Sequence, residues 1–420
     1  MQDRGRRSVL THKLNNRAVS NYSNEKCFLP EYDGFNIIFR CAIDIPYKND
    51  SMRYKGYSMS KALNCNIKQF FRGLLKYIDS LYENVSEFDM LVIYIPFEFK
   101  KYRELKNDKE YFDLHDSIKL YCAQKEIKTQ FIEARSVVQN RYNDLAKIMW
   151  GLSTAIYTKA IGKLWTPENY RIDTAYVGLS YVQAMAGKKE ILIGCSQLFD
   201  AQGNGMRLFL RPIKNPQFIN KNPFMRKDDA RLLMSKLKDL YDNSVPTYSL
   251  KRIVIHKTTF FTKEEIEGIQ AGLVGVEDIE LIQIQEFNQW RAIRFDSNDF
   301  KSKASAFPIS RGTVIPIDDN SFLLWTHGAV QHDELAGKNR NYYKNGREIP
   351  VPLYIKRFLG NADGKTLVDE IMMLTKMNWN SGDSFYKVLP VTLDFSKKLS
   401  KMAKQEIAIY DRPYDFRFFM

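Results

Sequence analysis

Between residues 174 and 285 the apolar residues change their spacing in a fixed order, and that order restricts the fold more than any other feature. TAYVGLSYV (174–182), EILIGCSQLFD (190–200) and MRLFLRP (206–212) are strand-like runs, rich in β-branched and aromatic residues. The last two are joined by AQGNG, whose glycines suit a hairpin. A helical period follows at about 226–242, where Leu232, Leu233, Leu237 and Leu240 recur. RIVIH (252–256), a second helix at 262–272 and the strand DIELIQIQ (278–285) complete the series.

Three antiparallel strands, then helix, strand, helix, strand, is the connectivity of the RNase H fold. A further hairpin (311–328), helices near 365–377 and 394–406, and an aromatic tail extend it. Ahead of it, FNIIFRCAIDI (Phe35–Ile45) reads as a strand, and Leu63, Ile67, Phe70, Leu74 and Leu81 set a helical spacing. MLVIYIP (90–96) is a short apolar run ended by proline, as in a buried parallel strand. A helix over 108–125 and a strand from Thr129 complete a small Rossmann-like domain, and a helix at 141–161 leads out of it. The expected class is α/β, with an irregular arm (1–34), a Rossmann-like domain (35–150) and an RNase H-like domain (151–420). Ligands of such a first domain gather at the carboxyl ends of its strands.

Charge narrows the partners. The 420 residues carry a formal net charge of +14, which favours a polyanion, because each neutralised phosphate releases condensed counterions. Hydrophobic residues at 44% and charged residues at 27% are a globular balance, so the excess sits on a folded chain. No apolar run has the length of a bilayer span, and no signal-peptide pattern opens the chain. The five cysteines contain no CxxC pair, which argues against a structural zinc site or a disulfide framework and suits a reducing cytoplasm.

Five blocks, in order, resemble the short prokaryotic Argonautes: WGLSTAIYTKAIGKLW (150–165) with AYVGLSY (175–181), IVIHKTTFFTKEEIEGI (253–269), SAFPISRGTVIPIDDNSFLLWTHG (305–328), IMMLTKMNWNSG (371–382) and PVTLDFSKKLSKM (390–402). The likeness runs from about residue 35 to residue 420. It implies that 35–150 is a MID domain and 151–420 a PIWI domain. Neither a PAZ-like nor an N-terminal lobe is expected ahead of them, which is the pattern of the short subclass.

The resemblance also implies a pocket for a guide 5′-phosphate, made by His115, Lys119, Gln130 and Lys159. His115 and Lys119 lie four apart, one turn along a helix face. A terminal phosphate needs convergent donors: lysine offers a compact charge, histidine and glutamine directional N–H groups. Singly, a helix lysine is usually solvated and a histidine packed, and Lys128 is an alternative for the part of Gln130. By the same resemblance the tail FRFFM tucks in, and the main-chain carboxylate of Met420 holds Mg²⁺ against the phosphate.

A two-metal RNase H nuclease clusters carboxylates around ions about 4 Å apart. Where the family carries its aspartates, this chain has Ser180 after Gly178, Lys257 in His256-Lys257-Thr258, and Ser396. Asp394 alone cannot assemble the site, so no slicing is expected. Arg207, Arg211, Lys221 and Arg226 are expected to line a nucleic-acid channel.

The resemblance thus implies a guide-RNA-binding subunit that recognises complementary single-stranded DNA of plasmid or phage origin. Catalysis would lie in an APAZ-domain partner chain forming a heterodimer, with a TIR effector favoured over a sirtuin-like or nuclease one, and with a higher oligomer on activation. NAD depletion or DNA damage would then stop infected cells. Two other readings stand beside it: an active guide-directed PIWI nuclease, and a generic RNA-binding α/β protein.

Overall fold

A computed structural model describes residues 12–19, 31–44, 55–56, 65–106, 111–133, 145–162, 165, 171, 173–183, 191–198, 207–245, 247–286, 288–295, 304–305, 309–327, 350–379, 388–403, 405 and 412–420. They form two compact units, one drawn from 1–164, 183–189 and 401–420 and the other from 165–182 and 190–400. The AQGNG segment lies outside the described residues, as do most of residues 1–34.

In the first unit, β1 (Ala18–Val19) pairs antiparallel with β2 (Glu31–Tyr32). The expected strand at 35–45 is instead a short helix, α1 (Phe35–Phe39). Gly34 enters it at φ 105 and Arg40 leaves it at φ 53, so both ends are set by left-handed residues rather than by a sheet partner. The arm is not wholly irregular, since Leu14, Ala18 and Tyr32 pack on the helix α4 (Leu145–Ala160). There the Tyr32 hydroxyl lies 2.7 Å from both Leu14 O and Ser153 Oγ.

Helix α2 (Ile67–Tyr82) begins with a capping box between Asn66 and Gln69. It lays Phe70, Ile78 and Leu81 against the core around the parallel pair β3 (Leu91–Ile95) and β6 (Thr129–Glu133). Between them, β4 (Glu104–Lys106) pairs with β5 (Tyr111–Asp113), and α3 (Leu114–Gln124) follows at once. The helix expected from 108 therefore starts later. The Asp113 side chain accepts the Asp116 amide at 3.0 Å and fixes the start at residue 114.

The second unit is built on a mixed sheet. Its strands are β7 (Thr174–Gln183), β8 (Ile191–Leu198), β9 (Arg207–Ile213), β12 (Arg252–Lys257), β13 (Asp278–Gln285), β14 (Val314–Asp318), β15 (Ser321–Leu324) and β16 (Leu353–Leu359). They lie in the order β14-β15-β16-β13-β12-β7-β8-β9. Strand β12 runs parallel to both neighbours, Ile253 standing opposite Ala175 and Ile279, and all its residues are buried. Burial on both faces is why RIVIHK is a continuous run rather than an alternating one. A small hairpin, β10 (Gln217–Ile219) with β11 (Asn222–Phe224), separates β9 from α5 (Lys227–Ser244).

Helix α5 packs beside α6 (Lys263–Gly272), and Leu233, Met234, Leu237 and Ile269 close one face of the sheet. Close approach needs Gly272, where an added Cβ would lie 2.4 Å from the Arg231 carbonyl oxygen. Helices α7 (Gly364–Lys376) and α8 (Val391–Met402) follow β16. The strands expected at 174–182, 190–200, 206–212, 252–256 and 278–285 all form, and so do the helices expected between them. No helix among the described residues is long and apolar enough to cross a membrane.

Candidate functional site

Within the first unit, α3, β6, α4 and the C-terminal turn (416–418) carry the residues singled out from sequence. His115 and Lys119 stand one turn apart on α3. Lys119 is only 2% exposed, and its ammonium donates to the main-chain oxygen of Met420. Lys159, in the last turn of α4, is equally buried and donates to Oε1 of Gln130. The amide nitrogen of Gln130 donates to the Phe131 carbonyl at 2.8 Å, which orients its oxygen toward the lysine.

Burying an ammonium costs several kcal/mol unless acceptors or anions surround it. The helices that carry the two lysines, α3 and α4, both contact β6 and the C-terminal turn.

His115 is less enclosed. Its side chain is 45% exposed, its ring lies 4.7 Å from that of Phe131, and Nδ1 is 2.9 Å from Asp116 Oδ1. Burial of the ring holds its pKa below the usual histidine value, the Lys119 charge adds to that, and the Asp116 hydrogen bond opposes it. Lys128 donates to the Ala160 carbonyl at 3.4 Å and so caps α4 rather than sharing the Gln130–Lys159 contact. The tail is tied down by Arg412, which donates to Gln124 O at 2.8 Å and so caps α3, and Arg417 braces its last turn by chelating Asp415 at 2.9 and 2.7 Å. Neither arginine was singled out from sequence, where their partners are remote or unremarkable.

Asp113, His115 and Asp116 bring ligand atoms within 4.8 Å of one another, a set that could hold a cation. Asp116 is buried, with Lys401 Nζ 3.9 Å from its Oδ2, while Gln405 Oε1 accepts from the Asp113 amide (3.0 Å) and Ser117 Oγ (3.1 Å).

In the second unit, Ser180, Lys257 and Ser396, the positions expected from sequence to lack metal-ligating carboxylates, are committed to other contacts. Ser180 is buried with its hydroxyl 2.6 Å from that of Ser400. Gly178, two residues earlier, has the Thr392 carbonyl oxygen 2.2 Å from where a Cβ would be. Ser396 donates to Leu393 O at 3.0 Å within α8, and Asp394 accepts from Asn378 Nδ2 at 2.7 Å.

Lys257 turns inward. Its ammonium meets Glu265 Oε2 at 2.6 Å, with both side chains at 1% exposure or less, and lies 4.6 Å from the Phe261 ring and 4.9 Å from that of Phe224. Burial pulls the Lys257 pKa down to about 8, against the opposing pull of Glu265. Glu265 also accepts from the Tyr181 hydroxyl at 2.6 Å and from the Thr262 amide at 3.0 Å. It closes the capping box of α6, a motif legible in TKEE, although the long-range partner is not. Next to Lys257, His256 is fully buried with Nδ1 2.9 Å from Thr392 Oγ1, and burial pushes its pKa to about 3, assisted by the Arg252 charge.

The expected channel residues are spread out. Arg207 and Arg211 share one face of β9, each half-buried, with Phe209 between them in the core. Lys221 is exposed at the tip of the β10–β11 hairpin, and Arg226 precedes α5, its Nη1 3.4 Å from Glu264.

No family model and no curated protein matches the chain. Solved structures do. The structure of Clostridium butyricum Argonaute bound to a guide DNA (5′ deoxycytidine) and a 19-mer target DNA shares 16% identity, with a TM-score of 0.62 over 90% of this chain and 44% of that one. A. aeolicus Argonaute gives 18% identity and a TM-score of 0.53 over 83% of this chain and 43% of that one. A structure of Aa-Ago with externally bound siRNA gives 18% and 0.51, covering 88% and 49%. The chain therefore spans less than half the length of each. At such identity the likeness is one of fold: mixed α/β, matching the MID–PIWI architecture of these proteins.

Proposed function

We propose that the chain binds the 5′-phosphate of a short guide strand in its first unit and holds the guide and its target in its second without cutting them. The observation that carries this is the pair of buried ammonium groups, Lys119 and Lys159, placed with Gln130 and His115 on α3, β6 and α4. A phosphate entering there would take charge-assisted bonds from both lysines, which strengthen where water is excluded. The exposed His115 edge and the Gln130 amide would supply directional donors. The fold likeness supports the reading, since one solved relative was captured with a guide and a target strand.

A divalent cation would complete this set. Mg²⁺ takes oxygen donors, and Met420 offers a main-chain oxygen that Lys119 already contacts. Met420 would hold the ion, whose charge would offset repulsion between its oxygen and the phosphate.

Recognition without cleavage is favoured because Ser180, Lys257 and Ser396 supply no carboxylate and are engaged internally. Base pairing would read sequence while basic side chains hold the backbones of the strands. The guide would be RNA and the target single-stranded DNA of plasmid or phage. Output would then pass to an APAZ-domain partner carrying a TIR or other effector.

The test compares a 5′-phosphorylated RNA with its 5′-hydroxyl counterpart, on wild type and on Lys119→Ala. Wild type is expected to prefer the phosphorylated strand and the variant to lose that preference; equal binding of both strands by wild type would overturn the reading. Incubation of loaded protein with complementary DNA and Mn²⁺ is expected to yield no site-specific product.

A further inference from the structure

We infer that the β10–β11 hairpin is a nucleic-acid contact in its own right, stacking an unpaired base on Phe218 while Lys221 and Lys214 hold the adjoining phosphates. Phe218 is 58% exposed, although it sits in a paired strand. Register explains why. Phe218 stands opposite Pro223, so those two share one face, whereas Gln217 stands opposite Phe224 on the other. Phe224 is fully buried, 4.7 Å from the Phe260 ring and beneath Lys257. The next residue, Met225, donates its amide to Glu265 at 3.3 Å. One face of the hairpin is thus anchored to the Lys257–Glu265 pair, and the other presents an aromatic ring to solvent.

The turn adds a second observation. Its two residues, Asn220 (φ 49) and Lys221 (φ 66), are both left-handed, the form that matches strand twist in a two-residue hairpin. Glycine normally fills the second place, and Lys221 takes it instead, exposed at the tip. Lys214 is exposed where the chain leaves β9. Neither lysine has an acidic partner among the described residues, unlike Arg226 and Lys227, which pair with Glu264 and Glu267.

An exposed ring on a hairpin with one such lysine at its tip and another just ahead of it has the chemistry of single-strand binding, in which bases stack regardless of sequence and lysines neutralise phosphates. The occupant is a nucleic-acid strand with at least one unstacked base.

This inference rests on the proposal that the chain holds nucleic acid, but not on the 5′-phosphate set, so one experiment separates the two. The full chain is titrated by fluorescence anisotropy with a short RNA carrying 2-aminopurine, as both 5′-phosphate and 5′-hydroxyl forms. Phe218→Ala is expected to weaken both forms alike, by about tenfold, and to relieve the 2-aminopurine quenching. Phe218→Trp is expected to keep the affinity. Lys221→Ala is expected to lower the salt dependence by about one phosphate contact. Unchanged affinity for Phe218→Ala, at unchanged thermal stability, would overturn the inference while leaving the pocket untouched. An equal loss on both strands from Phe218→Ala, alongside an absent phosphate preference in wild type, would uphold the hairpin and remove the pocket.

Discussion

Lys159 and Gln130, 29 positions apart, meet with the ammonium donating to the amide oxygen. The amide is held in that sense by its own bond to the Phe131 carbonyl. At 2% exposure, the contact of Lys159 with this oxygen lies where water is largely excluded, so a change of charge at residue 130 is felt strongly.

Gln130→Glu is therefore expected to separate binding from stability. The new carboxylate would pair with Lys159 and repel a phosphate. Affinity for the 5′-phosphorylated strand should fall by tenfold or more, about 1.5–3 kcal/mol for a charged hydrogen bond, while the melting temperature holds or rises. Anisotropy and thermal melting read the two effects; a parallel fall in both would mark a purely structural contact.

The Lys257–Glu265 pair supports the second unit from inside. Glu265→Gln strands a buried ammonium and is expected to cost about 3–5 kcal/mol. Lys257→Met combined with Glu265→Gln is expected to recover part of that loss, because the amide oxygen still accepts from Tyr181 and the Thr262 amide while no charge is left buried. Urea unfolding of the single and double variants measures the coupling.

His256 predicts a pH dependence. Its folded pKa is near 3, against about 6.5 in an unfolded chain. Between those values the unfolded chain binds a proton that the folded chain refuses, so acid favours unfolding. Stability contributed by the neutral ring is complete above about pH 6.5 and is lost progressively toward pH 3. His256→Asn, which keeps a nitrogen near Thr392, is expected to flatten this part of the stability profile relative to wild type.

Two glycines should respond oppositely to alanine. At Gly178 the new methyl meets the Thr392 carbonyl oxygen, and a loss near the upper end of about 1–3 kcal/mol is expected. At Gly151, inside α4, nothing lies within 4 Å, and alanine is expected to gain about 0.5–1 kcal/mol. Differential scanning calorimetry distinguishes them.

What could be read in advance follows the range of the forces involved. RIVIHK is a buried strand because two parallel neighbours enforce a continuous apolar run, and that leaves a local mark. Phe35–Phe39 left no such mark. Five residues of dense apolar character fit a strand or a helix equally, and the decision fell to Gly34 and Arg40. The β10–β11 hairpin went unread because NPQFINKNPF carries two prolines and turns on Asn-Lys instead of Asn-Gly. In the candidate site, the i, i+4 spacing of His115 and Lys119 was visible, and so was the strand carrying Gln130. The contacts Lys119–Met420 and Lys159–Gln130 are products of tertiary packing and have no signature in their own neighbourhoods.

Lys119 and Met420 lie 301 positions apart yet close the same unit. A ribosome delivers residues in order, so α3 must wait for some three hundred further residues before its buried lysine finds that oxygen. Until then Lys119 lacks this acceptor, and the first unit stays incomplete however early its own strands pair. Premature termination within residues 412–420 would thus damage a region translated some three hundred codons before.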